Sequence, residues 1–154
     1  MIDFIVNSLC SMQLVGIPKN HRVTVALDEE SYNALLKINE PVVLLKSHFT
    51  KKAVNNKNIH DFYSIIKVKP TILHQFLLWD VEPIVVDADT VFLENPFQIF
   101  NDEADFEVQC DSKEYYQIPY NTIPVPWQVN LGFFKVRPTE AVMKFMPIWL
   151  LFSF

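Results

Sequence analysis

Glycine is scarce in this chain, with two residues, Gly16 and Gly132, among 154. That excludes the phosphate-cradling loops of the Gly-x-Gly-x-x-Gly and Walker types, which need several glycines within one turn. Cysteine is equally rare. Cys10 and Cys110 cannot define a disulfide framework, and two free buried thiols fit the sequence at least as well as a bridge. No cluster of Lys or Arg is present; the one adjacent basic pair is Lys51-Lys52, in a polar stretch. Together with a formal net charge of −5, this argues against a nucleic-acid surface. The chain does not open on a basic region followed by a long apolar run, so no signal peptide is read there. Its most apolar end, residues 141–154, carries Lys144 and Pro147 and is too short to cross a bilayer. What is there is a globular composition, 50% hydrophobic and 20% charged, with 13 Phe. The length suits one domain with a sizeable core.

The apolar pattern alternates between helical and extended periods. Phe4, Ile5, Leu9, Met12, Leu14 and Val15 predict a helix over 3–15, stopped by Gly16 with Pro18 beyond. Residues 23–27 read as a strand. Asp28 caps a helix over 29–37 whose first turn is acidic, and 41–45 read as the next strand. This α-β-α-β order is the rhythm of a parallel sheet. Residues 47–61 are polar and aperiodic, an exposed loop flanked by His48 and His60, both read as solvated. His21 and His74 have no recognisable partner. A helix follows over 65–79, with Pro70 in its first turn. That places Lys69 at or just before the helix N-terminus, where backbone and ammonium both favour an anion. The plain alternative is a surface lysine lying over the apolar stripe of Ile72, Leu73, Phe76 and Leu77.

Ile84, Val85 and Val86 are a short β-branched run, with the composition of a strand buried on both faces. It ends in Asp87-Ala88-Asp89. If the strand continues, both carboxylates face one side; if the chain turns, they still converge at the strand's carboxyl end, where open α/β sheets bind ligands. Two acids so close repel each other, and a divalent cation held through oxygen would relieve that. The competing reading is two solvated acids at a turn. Glu94-Asn95-Pro96-Phe97 is a turn, and 105–109 a strand. Residues 111–127, rich in Tyr and Pro with Trp127, either line a sugar groove or form an ordinary packed loop. In the strand over 129–136, Gly132 marks a bulge or a close backbone approach, with the Asn130 amide beside it. Thr139 caps a last helix from Glu140 to Met146 or beyond.

Lys69-Pro70-x-x-Leu73, the hydrophobic strand into Asp87-x-Asp89, Val91-Phe92-Leu93-x-Asn95-Pro96-Phe97, and Asn130-x-Gly132-Phe133-Phe134-x-x-Arg137-Pro138-Thr139 stand in an order that resembles a known family. The chain is similar to the nucleotide-diphospho-sugar transferase domain of glycosyltransferase family 77 and its neighbours, from about Phe4 to Met146. The resemblance implies a GT-A fold: an α/β, Rossmann-like mixed sheet with helices on both faces, one domain over 1–154. It implies transfer of a hexosyl or pentosyl group from a nucleotide-diphosphate sugar to a glycan or glycoprotein. Asp87 and Asp89 would engage Mn²⁺ or Mg²⁺ at the diphosphate, Lys69 would neutralise the phosphates or hold the sugar, and Asn130 and Gly132 would shape the floor of the donor site. No catalytic nucleophile follows from it. Family analogy implies the Golgi lumen, although no anchor is visible. Such domains normally open with a strand supporting the nucleotide base and continue past the last helix to an Asp-Gln pair, so a fragment incomplete at both ends is expected. Two other readings stand beside this one. One is a non-catalytic or degenerate relative that binds a partner or a sugar nucleotide. The other is a haloacid dehalogenase-like phosphatase, with Asp87 as nucleophile and Asp89 as general acid.

Overall fold

The computed structural model describes residues 2–45, 59–100, 103–110 and 129–152; of 59–67 and 110 it describes the backbone alone. Among the described residues the architecture is mixed α/β, with one parallel and one antiparallel sheet. Two compact units divide the chain, Met1–Lys69 with Val91–Ile99, and Pro70–Thr90 with Phe100–Phe154.

In the first unit, helix α1 spans Ile2–Leu14. Strand β1 (Thr24–Ala26), helix α2 (Glu29–Lys37) and strand β2 (Val42–Leu44) follow. β1 and β2 pair in parallel, Val25 opposite Val43, as the α-β-α-β rhythm predicts. Asp28 caps α2: its Oδ1 accepts the Ser31 N–H at 2.7 Å and its Oδ2 the Ser31 hydroxyl at 2.8 Å. Asp28→Ala is expected to cost about 1 kcal/mol, read as a fall in Tm of about 2–4 °C by circular dichroism; an unchanged Tm would show the cap to be idle. The segment Val91–Ile99 is tied to α1 through Ser11, whose Oγ donates to Ser8 O at 2.7 Å and accepts the Phe92 N–H at 3.0 Å. Cys10 on α1 is a free thiol, and it is exposed rather than buried as expected. The side chain of Cys110 and the loop over 111–127 lie outside the described side chains and residues.

Helix α3 runs from Ile59 to Leu78, beginning earlier than the apolar stripe predicts. Residues 59–61, read as loop, are helical. Pro70 is therefore inside the helix, buried, and not in its first turn. It removes one i→i−4 hydrogen bond, which a helix of 20 residues tolerates. Helices α1, α2 and α3 end alike. Gly16, Asn39 and Asp80 adopt left-handed φ of 82°, 56° and 58°, and the next N–H reaches back five residues, as from Val81 to Phe76 O at 3.1 Å. Asn and Asp are the residues that take this conformation most readily after Gly, which is how a chain so poor in glycine ends its helices.

In the second unit, β3 (Ile84–Val86), β4 (Phe106–Cys110) and β5 (Val129–Val136) form an antiparallel sheet in the order β3-β5-β4. Ile84, Val85 and Val86 are each half-buried, not buried on both faces. Helix α4 (Glu140–Phe152) passes through Pro147; Thr139 Oγ1 accepts the Val142 N–H at 3.4 Å. The core gathers Leu73 and Leu77 of α3, Phe134 and Val136 of β5, and Val142 and Met146 of α4. Phe106 stacks on Phe134 at 5.5 Å. Leu131 and Phe134 both pack against this core, although regular alternation would send residues three apart to opposite faces. The pairing explains it. β4 advances one residue, from Val108 to Gln109, while β5 moves from Phe134 to Asn130, so the register slips around Gly132 and the alternation changes phase.

Candidate functional site

The slip in β5 lies beside the end of β3. Strand β3 stops at Val86, and Ala88 and Asp89 form a turn closed by the Thr90 N–H on Asp87 O at 3.1 Å. Of the two geometries open to Asp87-x-Asp89, the chain adopts the turn. The Asp87 N–H donates to Gly132 O at 2.7 Å, carrying the β3–β5 pairing one residue further. The Gly132 N–H donates to Asn130 Oδ1, also at 2.7 Å. A Cβ on Gly132 would lie 2.8 Å from Asn130 Oδ1 and 2.9 Å from Asp87 Oδ2. Both oxygens therefore occupy the space that a side chain at 132 would fill. The bulge and the close backbone approach expected of this glycine are both present.

Asp87, Asn130 and Gly132 thus come together, and Asp89 stands exposed in the same turn. Lys69 lies elsewhere in its helix than expected. It is a half-buried residue well inside α3, assigned to the other unit. The helix N-terminus expected at Lys69 lies at Ile59 instead, because Ile59, Phe62 and Tyr63 extend the helical apolar spacing toward the N-terminus. Of the histidines, the side chains of His48 and His60 lie outside those described, and His74 is half-buried on α3.

Sequence reasoning passed over Lys135, the one charged residue of β5. It is 7% exposed and its Nζ lies 2.7 Å from Glu82 Oε1, with Glu107 opposite it on β4. A lone charge in an otherwise uncharged strand was the available signal; it is engaged by Glu82, just before β3. Also unforeseen is a cavity of about 480 Å³ between β4, β5 and α4, lined by Phe106, Leu131, Phe145 and Trp149 among others. Among its described lining residues Asp105 is the one ionisable group, and that described lining lacks the convergent polar groups that orient a nucleotide.

A family model for nucleotide-diphospho-sugar transferases matches residues 19–153. The chain belongs to this family. The match spans both sheets, the Asp87-x-Asp89 turn and the Asn130–Gly132 contact. No curated protein and no solved structure matches the chain.

The donor set can be tested against a divalent ion on the chemistry of the residues present. Among the described residues, no three His, Cys, Asp or Glu gather into a closed metal cage. Two carboxylates on one turn, with an amide oxygen nearby, are hard oxygen donors only. Mg²⁺ and ions like it are characteristically bound by one or two carboxylates completed by substrate phosphates. The residues fit an ion shared with a diphosphate. No helix of the described residues is long and apolar enough to span a membrane.

Proposed function

We propose that this nucleotide-diphospho-sugar transferase chain carries the donor site of a glycosyltransferase, with Asp87 and Asp89 holding Mn²⁺ or Mg²⁺ against the diphosphate. The observation that carries this reading is the seating of the Asp87 carboxylate over the α-carbon of Gly132. A glycine there leaves room for a carboxylate and a ligand where any side chain would fill it. Asp87 is anchored through its backbone to Gly132, so its carboxylate is presented without a large loss of freedom on binding. Asp89, exposed in the turn, is accessible to an ion arriving with the nucleotide. Such an ion, when bound, supplies Lewis acidity that offsets the negative charge developing on the leaving nucleoside diphosphate. Asn130 and Gly132 shape the floor beneath the donor. The acceptor in this reading is a glycan or a glycoprotein. The family match favours the transferase over a phosphatase with Asp87 as nucleophile.

Calorimetric titration of UDP into the chain tests this. Binding is expected to require Mn²⁺ and to weaken at least about tenfold in Asp89→Ala, the lower end of what loss of one metal-supporting group produces. UDP binding that ignores Mn²⁺, or survives unchanged in Asp89→Ala, would remove the metal from this turn.

A further inference from the structure

We infer that Asn130 is a positioning residue, which seats the Asp87 carboxylate through Gly132 and has no need to touch the donor itself. This rests on the reading of Asp87 as a metal-holding carboxylate. The pairing of β4 with β5 passes directly from Val108 opposite Phe134 to Gln109 opposite Asn130. Leu131, Gly132 and Phe133 are thereby looped out of that ladder. Gly132 turns its carbonyl toward β3, whose ladder ends at Asp87 with the Asp87 carbonyl turned to the Thr90 N–H, so its half-buried N–H must find another acceptor. For Gly132 that acceptor is Asn130 Oδ1, at 2.7 Å. The contact is the i to i+2 turn that Asn side chains make in competition with regular structure. It fixes the Gly132 peptide so that its carbonyl meets the Asp87 N–H at 2.7 Å. The same glycine leaves open the space into which Asp87 Oδ2 projects. The order of action is Asn130 on Gly132, then Gly132 on Asp87.

The residue type agrees with this role. An Asp at 130 would accept the same N–H but would place a second negative charge beside Asp87, repelling it. Ser would accept the N–H through a weaker local bond. An alanine accepts nothing, and frees the irregular stretch to drift.

The test compares the full chain with Asn130→Ala, Asn130→Ser and Asp87→Ala. Affinity for UDP with Mn²⁺ is measured by calorimetry, and amide hydrogen exchange at Gly132 and Asp87 by NMR without ligand. UDP lacks the transferable sugar, so a contact of Asn130 to that sugar leaves this affinity unmoved. Asn130→Ala is expected to weaken binding about 10- to 100-fold, the range for residues supporting a metal ligand. Exchange at Gly132 and Asp87 should accelerate while Val85 keeps its wild-type rate, and Asn130→Ser should restore part of both. Wild-type affinity in Asn130→Ala, with binding lost in Asp87→Ala, would overturn the positioning role and leave the metal reading standing. Wild-type affinity in Asp87→Ala would overturn the metal reading and this inference together. If Asn130→Ala does not fold, Asn130→Ser decides: affinity and exchange both equal to wild type would overturn the proposal, and intermediate values support it.

Discussion

Replacing Glu40 by alanine is expected to destabilise the chain by about 3–5 kcal/mol, the usual cost of stranding one member of a buried ion pair. The Glu40 side chain is 2% exposed and that of Arg22 8%. Arg22 grips it with two bonds, Nε to Oε1 at 2.6 Å and Nη2 to Oε2 at 3.1 Å. The remaining Nη1 donates to Leu9 O at 3.3 Å and Ile17 O at 3.5 Å. The guanidinium therefore joins the end of α1, the approach to β1 and the approach to β2. Without Glu40 the cation stays buried with carbonyl oxygens alone. Lys19, at 3.8 Å from Oε2, is about half-exposed and adds less, since solvent screens it. Glu40→Gln keeps the shape but turns one acceptor into a donor facing Arg22, so a smaller but clear loss is expected. Urea denaturation of Glu40→Ala, Arg22→Ala and the double variant measures this. The double variant should lose less than the two single losses combined, because neither charge is then left alone. A loss below about 1 kcal/mol in Glu40→Ala would show the pair to behave like a surface one.

Gly132→Ala is expected to do the opposite: spare the fold and remove the function. The new methyl would meet Asn130 Oδ1 at 2.8 Å and Asp87 Oδ2 at 2.9 Å. Both are ends of rotatable side chains; Asp87 can swing away, whereas moving Asn130 Oδ1 also weakens its bond to the Gly132 N–H, at a cost of up to about 1–3 kcal/mol. Alanine also loses less backbone entropy in a strand than glycine does, by roughly 0.5–1 kcal/mol. Stability should thus fall by no more than about 2 kcal/mol. The Asp87 carboxylate, however, must leave its seat, and Mn²⁺-dependent UDP affinity should fall at least about tenfold. Thermal unfolding and calorimetric titration on the same preparations read the two effects separately. A variant that unfolds readily yet binds UDP with Mn²⁺ like wild type would place the donor site elsewhere.

Features with local causes were legible in the sequence. Asp28 and Thr139 cap the helices that follow them because a cap acts on backbone groups within one turn. Gly16 ends α1 for the same kind of reason. The Asp87-x-Asp89 turn and the irregularity at Gly132 were each marked by residue type. Their meeting was not, because it depends on β3 and β5 pairing antiparallel, and the α-β-α-β rhythm of the first half says nothing about the second. The start of α3 was legible in Ile59, Phe62, Tyr63 and Ile66, which stand at helical spacing, but the polar stretch before them and Pro70 as a misleading punctuation mark drew the boundary too late. Lys69 was misplaced as a result. Cys10 was misjudged because exposure of a small residue on a largely apolar helix depends on which face meets its neighbours.

The phase change in β5 has an evolutionary consequence. On one side of Gly132 the core-facing residue is Leu131; on the other it is Phe134, with Val136 beyond. Insertion or deletion of a single residue between them would turn the following core side chains outward and detach Asp87 from its backbone partner in the same event. Substitutions can accumulate along this strand one at a time, whereas its length cannot drift. Related chains that keep the Asp-x-Asp turn should therefore align without gaps from Asn130 to Val136, while changes in length collect in the connections between strands.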